Sequence, residues 1–264
     1  MRITLVQNEI IWEHKDANLM YYESLLSGLS GKTDLVVLPE MCTTGFSMKA
    51  TELAEYDEGE TISALSNMAQ SYGFAIIGSF IGKGPVNAKE KDANKYFNRG
   101  FLIHPDGKKD FYSKKHLFRM GEETDKYTAG NDKGIFRYMG WNIRLIICYD
   151  LRFPVWCRNV KNEYDLLIVT ANWPESRQHV WNSLLMARAL ENMAYVCGIN
   201  RIGTDGLNIH YSGESQLINA YGSVLSSIEP DLEQVQTLEI DLESLEHFRN
   251  KFPVWKDADP FSIG

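Results

Sequence analysis

The stretch "RLIICYDLRFPVW" ends an apolar, strand-forming run on Cys148 and turns at once into Tyr149, Asp150, Leu151 and Arg152. Cysteine is among the most buried residue types, so packing alone would account for a sulfur in "LIIC". The polar sequel changes that reading. With Pro154 suited to a first helical turn, the sulfur is expected at a strand end facing a helix N-terminus, whose free N–H groups favour a thiolate and any oxyanion formed beside it. That is a position for a nucleophile.

A thiol nucleophile needs a base and something to hold developing negative charge. The chain has six histidines, at 14, 104, 116, 179, 210 and 247, and none is spaced as a partner of Cys148. Carboxylates at strand ends are the next candidates: "LVVLPE" brings Glu40 to the end of a second apolar run, either as a solvated loop residue or, between Pro39 and the small residues of "CTTG", as a partly desolvated base. A cation comes from "FYSKKHL". Lys114 and Lys115 close a strand-like arm, and strand alternation points neighbours to opposite faces, so one of the pair can turn inward.

The elements that must position these groups alternate. A strand at "RITLVQ", a helical spacing over residues 16–29, the buried run "TDLVVLPE", a helix over 61–72 and a strand at "FAIIGSFI" open an α/β fold. Apolar content falls over residues 82–95, as in a surface excursion. "YFNRGFLIHPDGKKDFYSK" then predicts a hairpin around "PDG", residues 116–134 a polar loop, and "IFRYMGWNIRLIICYD" two strands about Gly140. The first rhythm returns with a helix from near Pro154, a strand in "YDLLIVTANW", a helix over 179–192 and a strand in "AYVCGINR". Two similar halves imply two sheets packed together. Alternation resumes in "SQLINAYGSVLSSI" and "VQTLEIDL". Residues 241–264 are expected to form a C-terminal helix and an extended tail bearing Pro253 and Pro260, within a single domain over 1–264.

Taken in order, "LPE", "YSKKHL" and "ICYDLRFP", with "ANWP" and "MARALENMAYVCGINRIG", closely resemble the nitrilase, or carbon-nitrogen hydrolase, superfamily from the first strand to about Ile240. The resemblance implies a four-layer α/β/β/α sandwich of two mixed sheets. It implies Glu40 as general base, Lys114 as stabiliser of the tetrahedral intermediate and Cys148 as nucleophile. It also implies a second glutamate in the loop after the lysine, where "GEETDKYTAG" offers Glu122 and Glu123; distance from the closing glycine selects Glu123. Val155 departs from the pattern, standing where many members carry glutamate.

"ICYDLRFP" and "ANWPESRQHVW" look most like the omega-amidase branch, which hydrolyses the terminal amide of small dicarboxylate monoamides such as 2-oxoglutaramate. An aliphatic or N-carbamoyl amidase, or a nitrilase, is the alternative. Tyr149, Trp173, Arg177 and Phe118 are the expected substrate contacts, Arg177 for a carboxylate and the Tyr149 N–H for the oxyanion. Phe46 and Tyr127 are further candidate walls; Arg188 and Arg201 are each left between a substrate contact and a structural role.

Composition bounds the partners. A formal charge of −8 without a long basic block disfavours nucleic acid and anionic membranes, and no apolar run approaches the roughly 20 residues of a spanning helix. Cysteines at 42, 148, 157 and 197 form no CxxC pair, as expected of a cytoplasmic protein. No metal-ligand cluster, P-loop or GxGxxG pattern is present, so neither metal nor nucleotide cofactor is expected. The partner expected is a small-molecule amide, and the resemblance implies a homodimer.

Overall fold

The computed structural model describes residues 1–84 and 95–262, so 85–94 of the expected surface excursion lie outside the described residues, while Gly82 and Lys83 end a strand. Its strands are β1 (Arg2–Gln7), β2 (Leu35–Val37), β3 (Ala75–Lys83), β4 (Tyr96–Ile103), β5 (Lys109–Ser113), β6 (Ile135–Tyr138), β7 (Trp141–Ile147), β8 (Leu166–Ala171), β9 (Tyr195–Asn200), β10 (Ile202–Thr204), β11 (His210–Ser212), β12 (Gln216–Ile218) and β13 (Gln234–Glu239). One sheet has the order β13-β1-β2-β3-β4-β5 and the other β12-β9-β8-β7-β6, while β10 and β11 pair separately. In the first, β1, β2 and β3 are parallel and flanked by antiparallel β13 and β4. The second repeats the scheme with β7, β8 and β9 between β6 and β12.

Continuous apolar runs follow from this topology, because strands covered on both faces have no polar side to present. Leu35 and Val37 join the core shared with the second sheet, whereas Val36 and Leu38 pack outward with Tyr22 and Leu26 of the helix Lys15–Ser27 and Leu65 of the helix Glu60–Tyr72. On the far side of the second sheet lies the helix Gln178–Asn192; a side chain at Gly198 would run into its Leu185, with Cδ1 2.4 Å from the added carbon. Between the sheets the approach is equally close. A methyl group at Gly100 would meet Leu145 Cδ2 at 2.5 Å, so β4 keeps a bare backbone where β7 crosses it. Helix, sheet, sheet, helix are the four layers expected.

Several elements differ from their expected extents. Residues 116–134 contain a 3-10 turn, Arg119–Gly121, and a short helix, Glu123–Lys126. Only Gln216–Ile218 of "SQLINAYGSVLSSI" is strand, because Asn219 accepts from the N–H groups of Tyr221 and Ser223 and turns the chain. The C-terminal helix is Leu242–Lys251, capped by the Asp241 side chain, and the tail beyond it includes a 3-10 turn at Val254–Asp257.

That helix docks through the buried side chains of Leu245, which joins the core, and Arg249. Arg249 pairs with Asp165 at 2.6 Å and donates to the carbonyls of Tyr164 and Met193, each at 2.8 Å. Truncating it leaves a buried carboxylate and two carbonyls without their donor. Arg249→Ala is therefore expected to lose about 3–5 kcal/mol in equilibrium urea unfolding. A loss under about 1 kcal/mol, within reach of an exposed ion pair, would mean that the helix is an appendage.

Candidate active site

Three strand ends converge. The chain leaves β2 through Leu38 and Pro39 to reach Glu40; it leaves β5 directly into Lys114, and β7 directly into Cys148. Glu40, Lys114 and Glu123 are almost wholly buried, with 0%, 1% and 0% of their surface exposed. Lys115 points the other way, its ammonium bonding Asn131 at an exposed site, so the alternation expected of the two lysines holds. Cys148 itself adopts a φ of 45°, a left-handed backbone that non-glycine residues occupy at a cost and that recurs where a side chain is held for function.

The three charged groups form one network. Lys114 Nζ lies 3.0 Å from Glu40 Oε1 and 3.0 Å from each Glu123 oxygen. Asn98, from β4, bridges the two carboxylates, its amide donating to Glu40 Oε1 at 2.7 Å and Glu123 Oε1 at 3.1 Å while its carbonyl oxygen accepts from Ser79. The other Glu40 oxygen accepts from the backbone N–H of Asn172 at 2.8 Å, and Asn172 Nδ2 donates to the Glu40 carbonyl at 2.7 Å. Glu123 Oε2 also accepts from Phe118 N. Glu122 has a left-handed φ of 60°, which reverses the chain between the 3-10 turn and the short helix. Glu122 is thereby left in solvent and Glu123 buried inside.

Burial would depress the Lys114 ammonium, but Glu123 and then Glu40 outweigh it and hold its pKa above the ordinary lysine value. Glu123 is pushed up, first by burial and then by Glu40, against the pull of Lys114. For the Cys148 thiol the largest effect is again burial, followed by the negative charge of Glu40; both raise it well above an ordinary cysteine, and Lys114 only partly offsets them. At neutral pH the sulfur is a thiol. A thiol attacks readily only when a neighbouring base takes its proton, and the carboxylate that raises its pKa is the candidate for that part.

The helix expected to activate the sulfur is too short to do so. After Cys148 come a 3-10 turn, Cys148–Arg152, and a helix of four residues, Pro154–Cys157, which has little macrodipole. Positive charge at the thiol comes from Lys114 instead. Asp150 fixes the turn: it accepts from Ile147 N at 3.1 Å, Tyr112 Oη at 2.7 Å, and both His116 N and the His116 ring at 2.8 Å. The loop carrying Lys114 and the loop carrying Cys148 are thus pinned to one buried carboxylate.

Above the network opens a cavity of about 390 Å³, to which Lys114, Cys148 and all four expected contacts, Phe118, Tyr149, Trp173 and Arg177, contribute. Arg177 lies over the Phe118 ring at 5.5 Å and Arg152 over Trp173 at 5.0 Å. Among the described residues neither guanidinium has a carboxylate within ion-pair distance. Phe46 lines the cavity, but Tyr127 does not; its hydroxyl donates to the Ser47 carbonyl at 2.5 Å beneath it. Arg188 and Arg201 are structural, donating to the carbonyls of Leu151, and of Ile10 and Ile202. Cys42 packs in the outer core.

Sequence reasoning missed Asn98, Asn172, Arg152 and the wall formed by Leu207 and Ile209 between β10 and β11. Asn98 had a signal, a lone amide in the apolar arm "YFNRGFLI". Asn172 stood unassigned in "ANWP"; its Oδ1 is buried and has no hydrogen-bond partner within the protein.

Two packed mixed sheets with this polar cluster at their strand ends define the nitrilase-like class of α/β/β/α proteins. The pattern describing carbon-nitrogen hydrolases matches residues 2–250, and the chain belongs to that family. It is 40% identical over 263 residues to omega-amidase YafV of Escherichia coli (strain K12), covering 100% of this chain and 98% of that protein. To the 2-oxoglutaramate amidase of Bacillus subtilis (strain 168) it is 32% identical over 259 residues, 97% and 96% of the two chains. Among solved structures it resembles XC1258 of Xanthomonas campestris, a CN-hydrolase superfamily protein with an arsenic adduct in its active site. The TM-score is 0.93 at 39% identity, over 100% of this chain and 99% of that one.

The charges around the thiol fix the sign of two shifts. Glu40→Gln removes a negative neighbour and is expected to lower the pH midpoint of Cys148 alkylation by iodoacetamide; Lys114→Met removes a positive one and raises it. Mass spectrometry of the labelled peptide across pH reads both midpoints. Equal midpoints in the two variants would show that burial alone sets the thiol.

Proposed function

We propose that the protein is an omega-amidase, hydrolysing the terminal amide of a small 2-oxo dicarboxylate monoamide such as 2-oxoglutaramate to the dicarboxylate and ammonia. The observation that carries this reading is a cavity lined by a thiol and by a buried ammonium that two buried carboxylates hold from behind, with two guanidiniums unpaired among the described residues in its wall. The relatives named omega-amidase and 2-oxoglutaramate amidase support it.

In the proposed reaction Glu40 takes the proton of Cys148 as the sulfur attacks the amide carbonyl carbon. The carbonyl π electrons pass to oxygen, and that charge is met by the Lys114 ammonium and the Tyr149 N–H. Glu40 then returns the proton to the amide nitrogen, the carbon–nitrogen bond breaks and ammonia leaves a thioester. Water, deprotonated by Glu40, adds to the thioester; the carboxylic acid departs and the sulfur recovers its proton. Glu123 fixes Lys114 and maintains its charge throughout. Asn172 Oδ1, without a protein partner, can accept an N–H of the amide.

In the wall of the same cavity Arg177, with Arg152, takes the substrate carboxylate through paired N–H donors. Phe118, Tyr149 and Trp173 cover the short carbon chain between. The whole of 1–264 is proposed to act as one domain, in the cytoplasm, as a homodimer. Among the described residues no helix is long and apolar enough to cross a membrane. Aromatic groups of the tail, Phe252 and Phe261, remain 58% and 47% exposed, as an arm packing on a partner would leave them in one chain.

Ammonia release from 2-oxoglutaramate, 2-oxosuccinamate, propionamide, N-carbamoyl acids and nitriles tests the assignment. The two oxo-acid amides are expected to lead, and Cys148→Ala to lose at least about a thousandfold in kcat. Arg177→Ala is expected to cost about 10–150-fold in kcat/KM on 2-oxoglutaramate, the value of charge-assisted hydrogen bonds, with propionamide little changed. Preference for nitriles or N-carbamoyl acids would transfer the protein to another branch. Sedimentation velocity showing only 30 kDa monomers at working concentration would remove the homodimer.

A further inference from the structure

A buried acceptor in the lining of the catalytic cavity has no donor. Asn172 follows β8, contributes to that lining and is only 5% exposed. Its side chain is held one way round, because Nδ2 donates to the Glu40 carbonyl at 2.7 Å and only the nitrogen end of an amide can make that bond. Oδ1 is left buried without a hydrogen-bond partner in the protein. Such an atom is costly to leave unmet and is ordinarily satisfied by protein, water or a ligand.

The backbone around it is fixed on both sides. Asn172 N donates to Glu40 Oε2 at 2.8 Å, while the next residue is clamped to the end of β9, Trp173 N donating to Asn200 Oδ1 at 2.8 Å and Asn200 Nδ2 to the Trp173 carbonyl at 2.9 Å. The Asn172 carbonyl lies 3.9 Å from Cys148 Sγ. One residue thus abuts both the nucleophile and the carboxylate that, in the proposed reaction, returns a proton to the departing atom. With the oxygen side of the scissile carbonyl assigned to Lys114 and the Tyr149 N–H, the acceptor of Asn172 belongs to the leaving-group side.

We propose that Asn172 is the specificity-determining residue for the leaving group: Oδ1 accepts an N–H of an unsubstituted amide and disfavours the corresponding ester. The assignment rests on the amidase reading of the site. Once Glu40 has given its proton to the amide nitrogen, that nitrogen carries positive charge, so the bond to Oδ1 is charge-assisted just as the carbon–nitrogen electron pair leaves with ammonia. With an ester the same proton goes to the alkoxy oxygen and an alcohol departs, leaving the same thioester. That oxygen brings lone pairs toward Oδ1, which stays unpaired. A methyl ester is the easier acyl donor in its own right, so the part played by Asn172 is read from the ratio of the two substrates.

Because amide and ester pass through one thioester, kcat/KM compares their acylation steps alone. The test measures kcat/KM for 2-oxoglutaramate and for the ω-methyl ester of 2-oxoglutarate with the wild-type protein, Asn172→Ala and Asn172→Leu, the last keeping the side-chain volume. Thermal midpoints show that each variant is folded. Both variants also lose the Nδ2 bond to Glu40, which weakens the base toward either substrate and cancels in the ratio. The amide-to-ester ratio is expected to fall about tenfold or more in both, the worth of a charge-assisted hydrogen bond. Equal losses on the two substrates, ester turnover lost to background together with the amide, or a ratio that rises would each overturn the proposal and leave Asn172 acting through Glu40 alone. A wild-type preference for a different amide overturns the acyl-group assignment only, and the ratio is then read with that amide and its methyl ester.

Discussion

A lysine ammonium buried to 1% exposure is the constraint around which the rest is arranged. Taking such a charge out of water costs several kcal/mol unless close partners and further hydrogen bonds repay it. Two carboxylates repay it here, and they come from separate parts of the chain, Glu40 after β2 and Glu123 from the loop beyond β5. Their mutual repulsion is eased by Asn98, whose amide group donates to both. Asn172 then joins the second sheet to the same cluster through Glu40. The ion network is therefore also a registration device for the two sheets, beside their apolar contacts and bonds such as Tyr112 Oη to Asp150 and Tyr138 Oη to the Asp34 carbonyl.

The same network decides how a thiol can work without an imidazole. A cysteine paired with a protonated histidine is held as a thiolate before substrate arrives. Here burial and Glu40 keep the proton on sulfur, and the cation next to it is already bound to two carboxylates. In the proposed reaction proton removal and attack must then proceed together, with Glu40 as the acceptor. Lys114 is not spent in making a thiolate, so its charge remains for the oxygen that becomes negative in the transition state.

Strand ends were legible in the sequence because a strand covered on both faces must read as an unbroken apolar run, and the polar residue that ends such a run stands out. Glu40 and Cys148 follow such runs, whereas Lys114 follows the mixed edge strand β5 and is marked by strand alternation instead. Asn98 lies inside a strand, where nothing in one-dimensional spacing distinguishes a bridging amide from a tolerated one. Distance from the closing glycine selects Glu123 over its neighbour, but its physical ground is not in the spacing: a single left-handed residue sends Glu122 out and Glu123 in. The helix after Cys148 is shorter than its sequence suggests because Pro154 marks a helix start but carries no information about length. The structure gives it four residues.

The cavity walls extend this logic to selectivity. Arg152 and Arg177 rest on aromatic faces, which orient a guanidinium while leaving its N–H edge free. An ion pair with a protein carboxylate would have held them as firmly but consumed the donors. Apolar walls lower the local dielectric, which strengthens attraction to an entering carboxylate and equally raises the cost of leaving a guanidinium unpaired. In the proposed reaction a substrate with its carboxylate at the correct remove from the amide would relieve that cost while placing the carbonyl at Cys148. A simple amide would leave it standing, so on that reading discrimination arises as much from the unpaired guanidiniums as from the hydrogen bonds that a carboxylate makes with them.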